Sequence, residues 1–272
     1  MNIELVQLTV RDGNIGYNLK KACEAINSAN DSTDLIIFPD TYLTGFPTKE
    51  NIARIAEPLT GSFLMEIHRI ASLKNIAVII GLSESNQGKY YNTAVLITPD
   101  DGILAYYRKT HLWEADKDIF SAGDRFISIN YKGVRLSFLI SFDIEFPEAA
   151  RAIAELDTEL LIVLNSNMDP YGATHRVAIM ARAQENQYYA VMVNRVGTGD
   201  DFLTFAGGSC VVNPSGEMVC EAGREPCKLV INIDPKQNKE YHDVYHYMKE
   251  RRLNISGKKV IHKNGRYDWL IN

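Results

Sequence analysis

Residues 132–148, KGVRLSFLISFDIEFPE, constrain the fold more than any other stretch of the chain. Val134, Leu136, Phe138 and Ile140 alternate with Arg135, Ser137 and Leu139, the two-residue period of a strand with one firmly buried face. Phe142 and Asp143 then turn the chain, and Pro147 with Glu148 opens a helix. Proline suits the first helical position, and an acid in the first turn meets the positive end of the helix dipole. Ser141 is thereby placed at the carboxyl end of a core strand, beside a strand-to-helix turn, where ligands and nucleophiles gather in layered α/β proteins. A serine that merely caps a turn would occupy the same place, so its neighbours must decide.

The flanking sequence supplies the layers for such a strand. Residues 3–9 predict a strand carrying Gln7, and 17–29 an amphipathic helix with Leu19, Ala22, Cys23 and Ile26 on one face. A short all-apolar strand over 35–38 runs straight into Pro39-Asp40. A second helix is expected over 61–74, then strands over 76–83 and 90–98. Pro99-Asp100-Asp101-Gly102 turns the chain into a strand over 103–108 that delivers Lys109 at its end. A strand over 126–131 turns at Lys132-Gly133 into the strand that carries Ser141. Beyond it we expect a helix over 147–156, an apolar strand over 160–164 and a helix over 175–187. Strands follow over 189–194, 208–212, 217–221 and 228–234, then a helix over 236–252 and an irregular tail. Several neighbouring strands are hairpins, which excludes a purely parallel sheet and predicts mixed sheets with helices outside. No linker, repeat or low-complexity tract divides the 272 residues, so one domain over 1–272 is expected.

Charge and composition narrow the function. A formal net charge of −5, with no basic run before Lys249-Glu250-Arg251-Arg252, argues against a nucleic-acid partner. No apolar run approaches ~18 residues, so no membrane span is expected. The opening residues MNIELVQLTV read as a strand, not a signal peptide. Cys23, Cys210, Cys220 and Cys227 lack metal-ligand spacing and suit the reduced thiols of a cytoplasm.

Asp40, Lys109 and Ser141 each follow directly on an apolar strand. If the three strands end on one side of a shared core, a carboxylate, an ammonium and a hydroxyl converge. The carboxylate can act as general base, the lysine can balance a developing oxyanion, and the hydroxyl can be an acyl-accepting nucleophile. Solvated charges at unrelated strand ends would give the same sequence.

Over nearly its whole length the chain resembles the nitrilase, or carbon–nitrogen hydrolase, superfamily. The similar stretches are DLIIFPDTYLTGFP, YYNTAVLITPDDGILAYYRKTHLW, FSAGD, ISFDIEFPE, ARAQENQYYAVMVNRVG and GGSCVVNPSGE, in family order and spacing. The resemblance implies a four-layer α-β-β-α sandwich that pairs with a second copy, with the tail over about 250–272 reaching toward the partner. It also implies hydrolysis of a small linear amide or N-carbamoyl compound without metal or organic cofactor. Family members use a Glu-Lys-Cys set with a second Glu. Carried over, Lys109 is retained in YRKTHLW, the F-P-E carboxylate falls on Asp40 in FPD, and the nucleophile falls on Ser141 in SFD. The second acid falls on Asp116 in WEADKDIF, or on Glu114 in a shifted register. Glu145 stands where family members tend to have Arg.

These departures weaken the expected chemistry. A serine hydroxyl is far less acidic than a thiol and needs a well-aligned base. Asp40 is one methylene shorter than glutamate, which withdraws that base by roughly 1 Å, and such a misplacement can cost ~10²-fold. Three readings of Ser141 remain open: a replaced nucleophile, a drifted site that binds without hydrolysing, and a rebuilt Asp-Lys-Ser amidase. Tyr42, Trp113, Phe142, Glu145, Asn167, Met168 and His175 are expected around the ligand, with Glu145 favouring a cationic or neutral one. Cys210 reads as a packed core thiol, and Arg182 with Glu185 as a helical ion pair.

Overall fold

Hydrophobic alternation sorts the chain into two packed sheets with helices outside. The computed structural model describes residues 1–199, 203–236 and 245–271. The first part of the chain contains β1 (Asn2–Gln7), α1 (Ile15–Asn27), β2 (Leu35–Ile37), α2 (Ile52–Ile55), α3 (Ser62–Lys74), β3 (Ala77–Asn86), β4 (Lys89–Thr98) and β5 (Gly102–Arg108). It continues with β6 (Arg125–Tyr131), β7 (Val134–Ile140), α4 (Pro147–Ala154), β8 (Leu160–Asn165), α5 (Gly172–Asn186) and β9 (Tyr189–Asn194). Then come β10 (Val196–Thr198), β11 (Thr204–Ala206), β12 (Cys210–Val212), β13 (Met218–Glu221), β14 (Cys227–Asn232), α6 (Tyr247–Glu250), β15 (Lys258–Ile261) and β16 (Tyr267–Leu270).

The first sheet runs β14-β1-β2-β3-β4-β5, and the second runs β13-β12-β9-β8-β7-β6-β16-β15. Among the described residues the parallel strand pairs are those of β1-β2-β3 and β7-β8-β9, beside single parallel bridges at Thr9–Val196 and Glu57–Glu84, and antiparallel pairs build out the rest. Successive residues of the first sheet point to opposite layers. Ile3, Leu5, Leu35, Ile37 and Ile79 meet Leu136, Phe138, Ile140, Leu160 and Ile162 of the second sheet in the central core. Val6, Ile36, Phe38, Val78 and Ile80 face the other way, against Ala22 and Ile26 of α1 and Leu64, Ile67 and Ala71 of α3. On the far side, Ala149 and Ile153 of α4 and Ile179 and Ala183 of α5 cover the second sheet. This is the expected α-β-β-α sandwich.

The differences from the sequence reading have local causes. The hairpin β10–β11 and the short α2 were not anticipated; each is three or four residues long, below the length at which periodicity is visible. The tail is not irregular. Lys258–Ile261 and Tyr267–Leu270 form a hairpin around Asn264-Gly265, with Gly265 at φ +80°, and β16 adds to the edge of β6. Buried Asp268 fastens it, accepting from Arg266 Nη2 at 2.9 Å and Arg125 Nη1 at 3.3 Å. Of the helix expected over 236–252, residues 237–244 lie outside the described residues, and α6 is a single turn.

Candidate active site

Four strands deliver polar groups to one end of the sandwich: β2 leads to Asp40, β5 to Lys109, β7 to Ser141 and β8 to Asn165 and Ser166. The ends of the two sheets are tied directly, since Ser166 Oγ donates to the Asp40 carbonyl at 3.1 Å. Gly81 on β3 leaves room for that turn: a Cβ there would stand 2.5 Å from the Thr41 nitrogen. Thr41 itself takes φ 45°, and that left-handed step redirects the chain. Tyr42 therefore leaves the site. It is fully buried against Phe38, ring centroids 5.0 Å apart, in the core beneath α1 and α3, so its expected place at the ligand is corrected.

Ser141 begins a 3-10 turn over Ser141–Glu145 with φ 47°, a conformation that costs a non-glycine residue and is held by its surroundings. The buried Asp143 carboxylate does the holding. It accepts from Ile140 N at 3.0 Å, Tyr107 Oη at 2.8 Å, Thr110 Oγ1 at 2.9 Å and His111 N at 2.8 Å. One side chain thus locks the turn after β7 to the loop after β5. Arg182 of α5 adds a bond to the Ile144 carbonyl at 3.1 Å while it pairs with Glu185 at 2.6 Å, the expected ion pair.

Lys109 Nζ lies 2.5 Å from Asp116 Oδ2, which also accepts from Trp113 N at 3.1 Å. Asp116 is buried and Glu114 exposed, which selects Asp116 for the lysine. Burial alone would push the Lys109 ammonium down, but the facing carboxylates Asp116 and Asp40 hold it above the ordinary lysine value. Asp40 is pushed up to about 7, because burial outweighs the attraction of Lys109 and the bond from Asn92. Its Oδ1 is buried and meets no donor.

These groups line a cavity of about 200 Å³. Asp40, Lys109, Asp116 and Ser141 share it with Trp113, Phe142, Glu145, Asn167, Met168 and His175, and with four residues the sequence reading did not name: Phe46, Ser166, Tyr171 and Thr174. Ser166 could have been found as the residue after an apolar strand; the others sit on loops and a helix start without a distinctive pattern. Cys210 lies in β12, fully buried, its thiol pushed up to about 12 by burial, which fits a packed core residue. Among the described residues no group of three His, Cys, Asp or Glu side chains is placed to hold a metal ion, and no helix is long and apolar enough to cross a membrane.

A hydroxyl, a carboxyl with a raised affinity for protons and a pinned ammonium around one small cavity can support acyl transfer. Residues 3–242 match the carbon–nitrogen hydrolase family. The chain belongs to that family. Among its carbon–nitrogen hydrolase relatives, an (R)-stereoselective amidase from a Pseudomonas species is 50% identical over 271 residues, covering 100% of this chain and 98% of the relative. A CN-hydrolase superfamily protein from Xanthomonas campestris, with an arsenic adduct in its active site, shares the fold with a TM-score of 0.88 at 23% identity, covering 94% of this chain and 99% of that chain. A variant of the amidase from Nesterenkonia sp. AN1, with acrylamide added at its active site cysteine, superposes with a TM-score of 0.82 at 26% identity, covering 93% and 96%.

Proposed function

We propose that the cavity binds a small linear amide or N-carbamoyl compound and that Asp40, Lys109 and Ser141 form its acid–lysine–nucleophile set, with weak turnover. The observation that carries this reading is the meeting of all three on one cavity, with Lys109 pinned by Asp116. Ser141 Oγ adds to the amide carbonyl carbon as Asp40 takes the hydroxyl proton. Lys109 balances the charge on the tetrahedral oxygen. Asp40 passes the proton to the departing amine, and a water assisted by Asp40 then cleaves the ester. Two features slow the first step. The serine is a poor nucleophile beside the cysteine of the Nesterenkonia amidase, and the short Asp40 leaves one oxygen unsatisfied.

That unsatisfied oxygen also favours a second reading, a carbon–nitrogen hydrolase fold that binds its ligand without cleaving it. Ammonia release from a panel of small amides separates the two. Measurable turnover by the unmodified chain that Ser141→Ala abolishes supports the serine set. Ligand binding without turnover, unchanged by Ser141→Cys together with Asp40→Glu, supports the binding protein. We further infer a cytoplasmic homodimer. Tyr171, on the cavity rim, and Val177, further along α5, are exposed apolar residues suited to such pairing, whereas residues 258–270 fold onto β6 of the same chain instead of extending toward a partner. A stable monomer at micromolar concentration by light scattering would overturn it.

A further inference from the structure

Ser141 and Glu145 are the first and last residues of one 3-10 turn, and both line the cavity. At about 2 Å of rise per residue their backbones stand roughly 8 Å apart along the turn. A group held by Glu145 therefore lies within a few bonds of a carbonyl approached by Ser141. Glu145 is not a free surface acid. Its Oε1 lies 3.0 Å from Nε2 of buried His175, whose Nδ1 is 3.1 Å from Asn165 Oδ1. A neutral imidazole has one N–H, and a carboxylate is the stronger acceptor, so Nε2 donates to Glu145 and Nδ1 is left as an acceptor, which the Asn165 amide meets with its NH2 turned toward the ring. Burial, helped by the Lys109 charge, pushes His175 down to about 4, so it brings no positive charge to the cavity at neutral pH. The Glu145 side chain stays 33% exposed, so its carboxylate is open to the cavity as well as to His175.

The rest of the wall has the same bias. Asp40, Asp116 and Glu145 line one cavity with a single ammonium, Lys109, and Asp116 already holds it. Asp40 Oδ1 is buried and unpartnered. Phe46, Trp113 and Tyr171 add aromatic rings, whose faces attract cations. We propose that Glu145, oriented by His175, is the specificity-determining residue, selecting amides that carry an ammonium two or three bonds from the carboxamide carbon: α- or β-amino amides. The inference rests on the amide reading above and narrows its substrate class.

Calorimetric binding at pH 7.5 to the full chain tests it without requiring turnover. The probes are 3-aminopropanamide, its neutral near-isostere butanamide, and anionic succinamate. 3-Aminopropanamide should bind about tenfold more tightly than butanamide, the scale of one hydrogen bond to a charged group. Glu145→Gln should remove that advantage, and Glu145→Arg should reverse the order in favour of succinamate. If butanamide or succinamate binds the unmodified chain as tightly as 3-aminopropanamide, or Glu145→Gln leaves the order intact, the specificity role is overturned while the amide site stands. If no amide of any charge binds, both fall.

Discussion

Asp40 and Asp116 are the same short acid facing the same lysine, yet their surroundings treat them differently. Asp116 sits in a 3-10 turn on the loop after β5, and its Oδ2 takes both the Lys109 ammonium and the Trp113 N–H. Asp40 follows β2, a strand buried on both faces, and its Oδ1 meets nothing. A loop can close up by an ångström around a shorter side chain. The turn after β2 cannot, because buried Phe38 and the Ser166 bond to the Asp40 carbonyl pin it in a close-packed interior that yields little. The short acid therefore makes its contacts at Asp116, while at Asp40 one carboxylate oxygen is left without a donor.

The largest effect should come from removing the shared cation. Lys109→Met strands buried carboxylates and should cost ~3–5 kcal/mol in urea unfolding at pH 8. Adding Asp116→Asn should recover more of that loss than adding Asp40→Asn. Asp116 is the acid in direct contact with the lysine, whereas Asp40 can shed its charge by binding a proton near pH 7. Equal recovery by the two would break the comparison.

Proton binding at Asp40 makes a second expectation. Its folded-state pKa of about 7 lies above the ordinary value of 3.8, so the folded chain holds a proton that the unfolded chain has released. The contribution is fully present below about pH 4 and lost as pH rises to about 7. Relative to Asp40→Asn, the unmodified chain should lose roughly 3–4 kcal/mol between pH 4 and pH 8, at ~1.36 kcal/mol per unit. Any turnover should rise through pH 7 as Asp40 becomes the free base. A flat difference between the two chains would show that Asp40 is charged throughout.

Smaller, and specific to reach, is the effect of lengthening each acid by one methylene. In a Ser141→Cys background, Asp40→Glu should raise ammonia release by ~10²-fold, the cost of a 1 Å misplacement. Asp116→Glu in the same background should gain less than about tenfold, because its contacts are already made. A larger gain at position 116 would mean that reach is limiting on the loop after β5 and not after β2.

Much of this contrast is legible in the sequence, and the illegible part has a common cause. Strand ends are written there: the alternation of 134–140, the apolar run at 35–38 and the proline at 147 locate Ser141, Asp40 and α4 without any tertiary information. Asp116 is separated from Glu114 only by the 3-10 turn that buries one and exposes the other. Tyr42 escapes the sequence reading because a single left-handed residue, Thr41, turns the backbone away from the cavity, and threonine gives no hint of that conformation. The bond between His175 and Glu145 joins residues thirty apart and depends on how α5 lies across the turn after β7. The tail hairpin is the exception, since Asn264-Gly265 between Lys258–Ile261 and Tyr267–Leu270 is a strong turn signal that periodicity alone passes over.

The smallest expected effect concerns the nucleophile's backbone. Ser141 holds φ 47° and Thr41, beside the base, holds φ 45°, so both sides of the proposed reaction are mounted on left-handed residues. At Ser141 the strain is sustained by Asp143, which fixes Ile140 N on one side and the loop after β5 on the other. Ser141→Gly removes the Cβ that makes the conformation costly, but it also gives the unfolded chain more freedom to lose on folding. The two terms oppose each other. Release of ~1–2 kcal/mol of left-handed strain against ~0.5–1 kcal/mol of added chain entropy leaves a net gain of about 0.5–1 kcal/mol. Ser141→Ala keeps the Cβ and should show no such gain, which isolates the backbone from the lost hydroxyl. If urea unfolding finds Ser141→Gly less stable than Ser141→Ala, the turn is not strained, and Asp143 serves to place the loop after β5 instead of restraining the nucleophile.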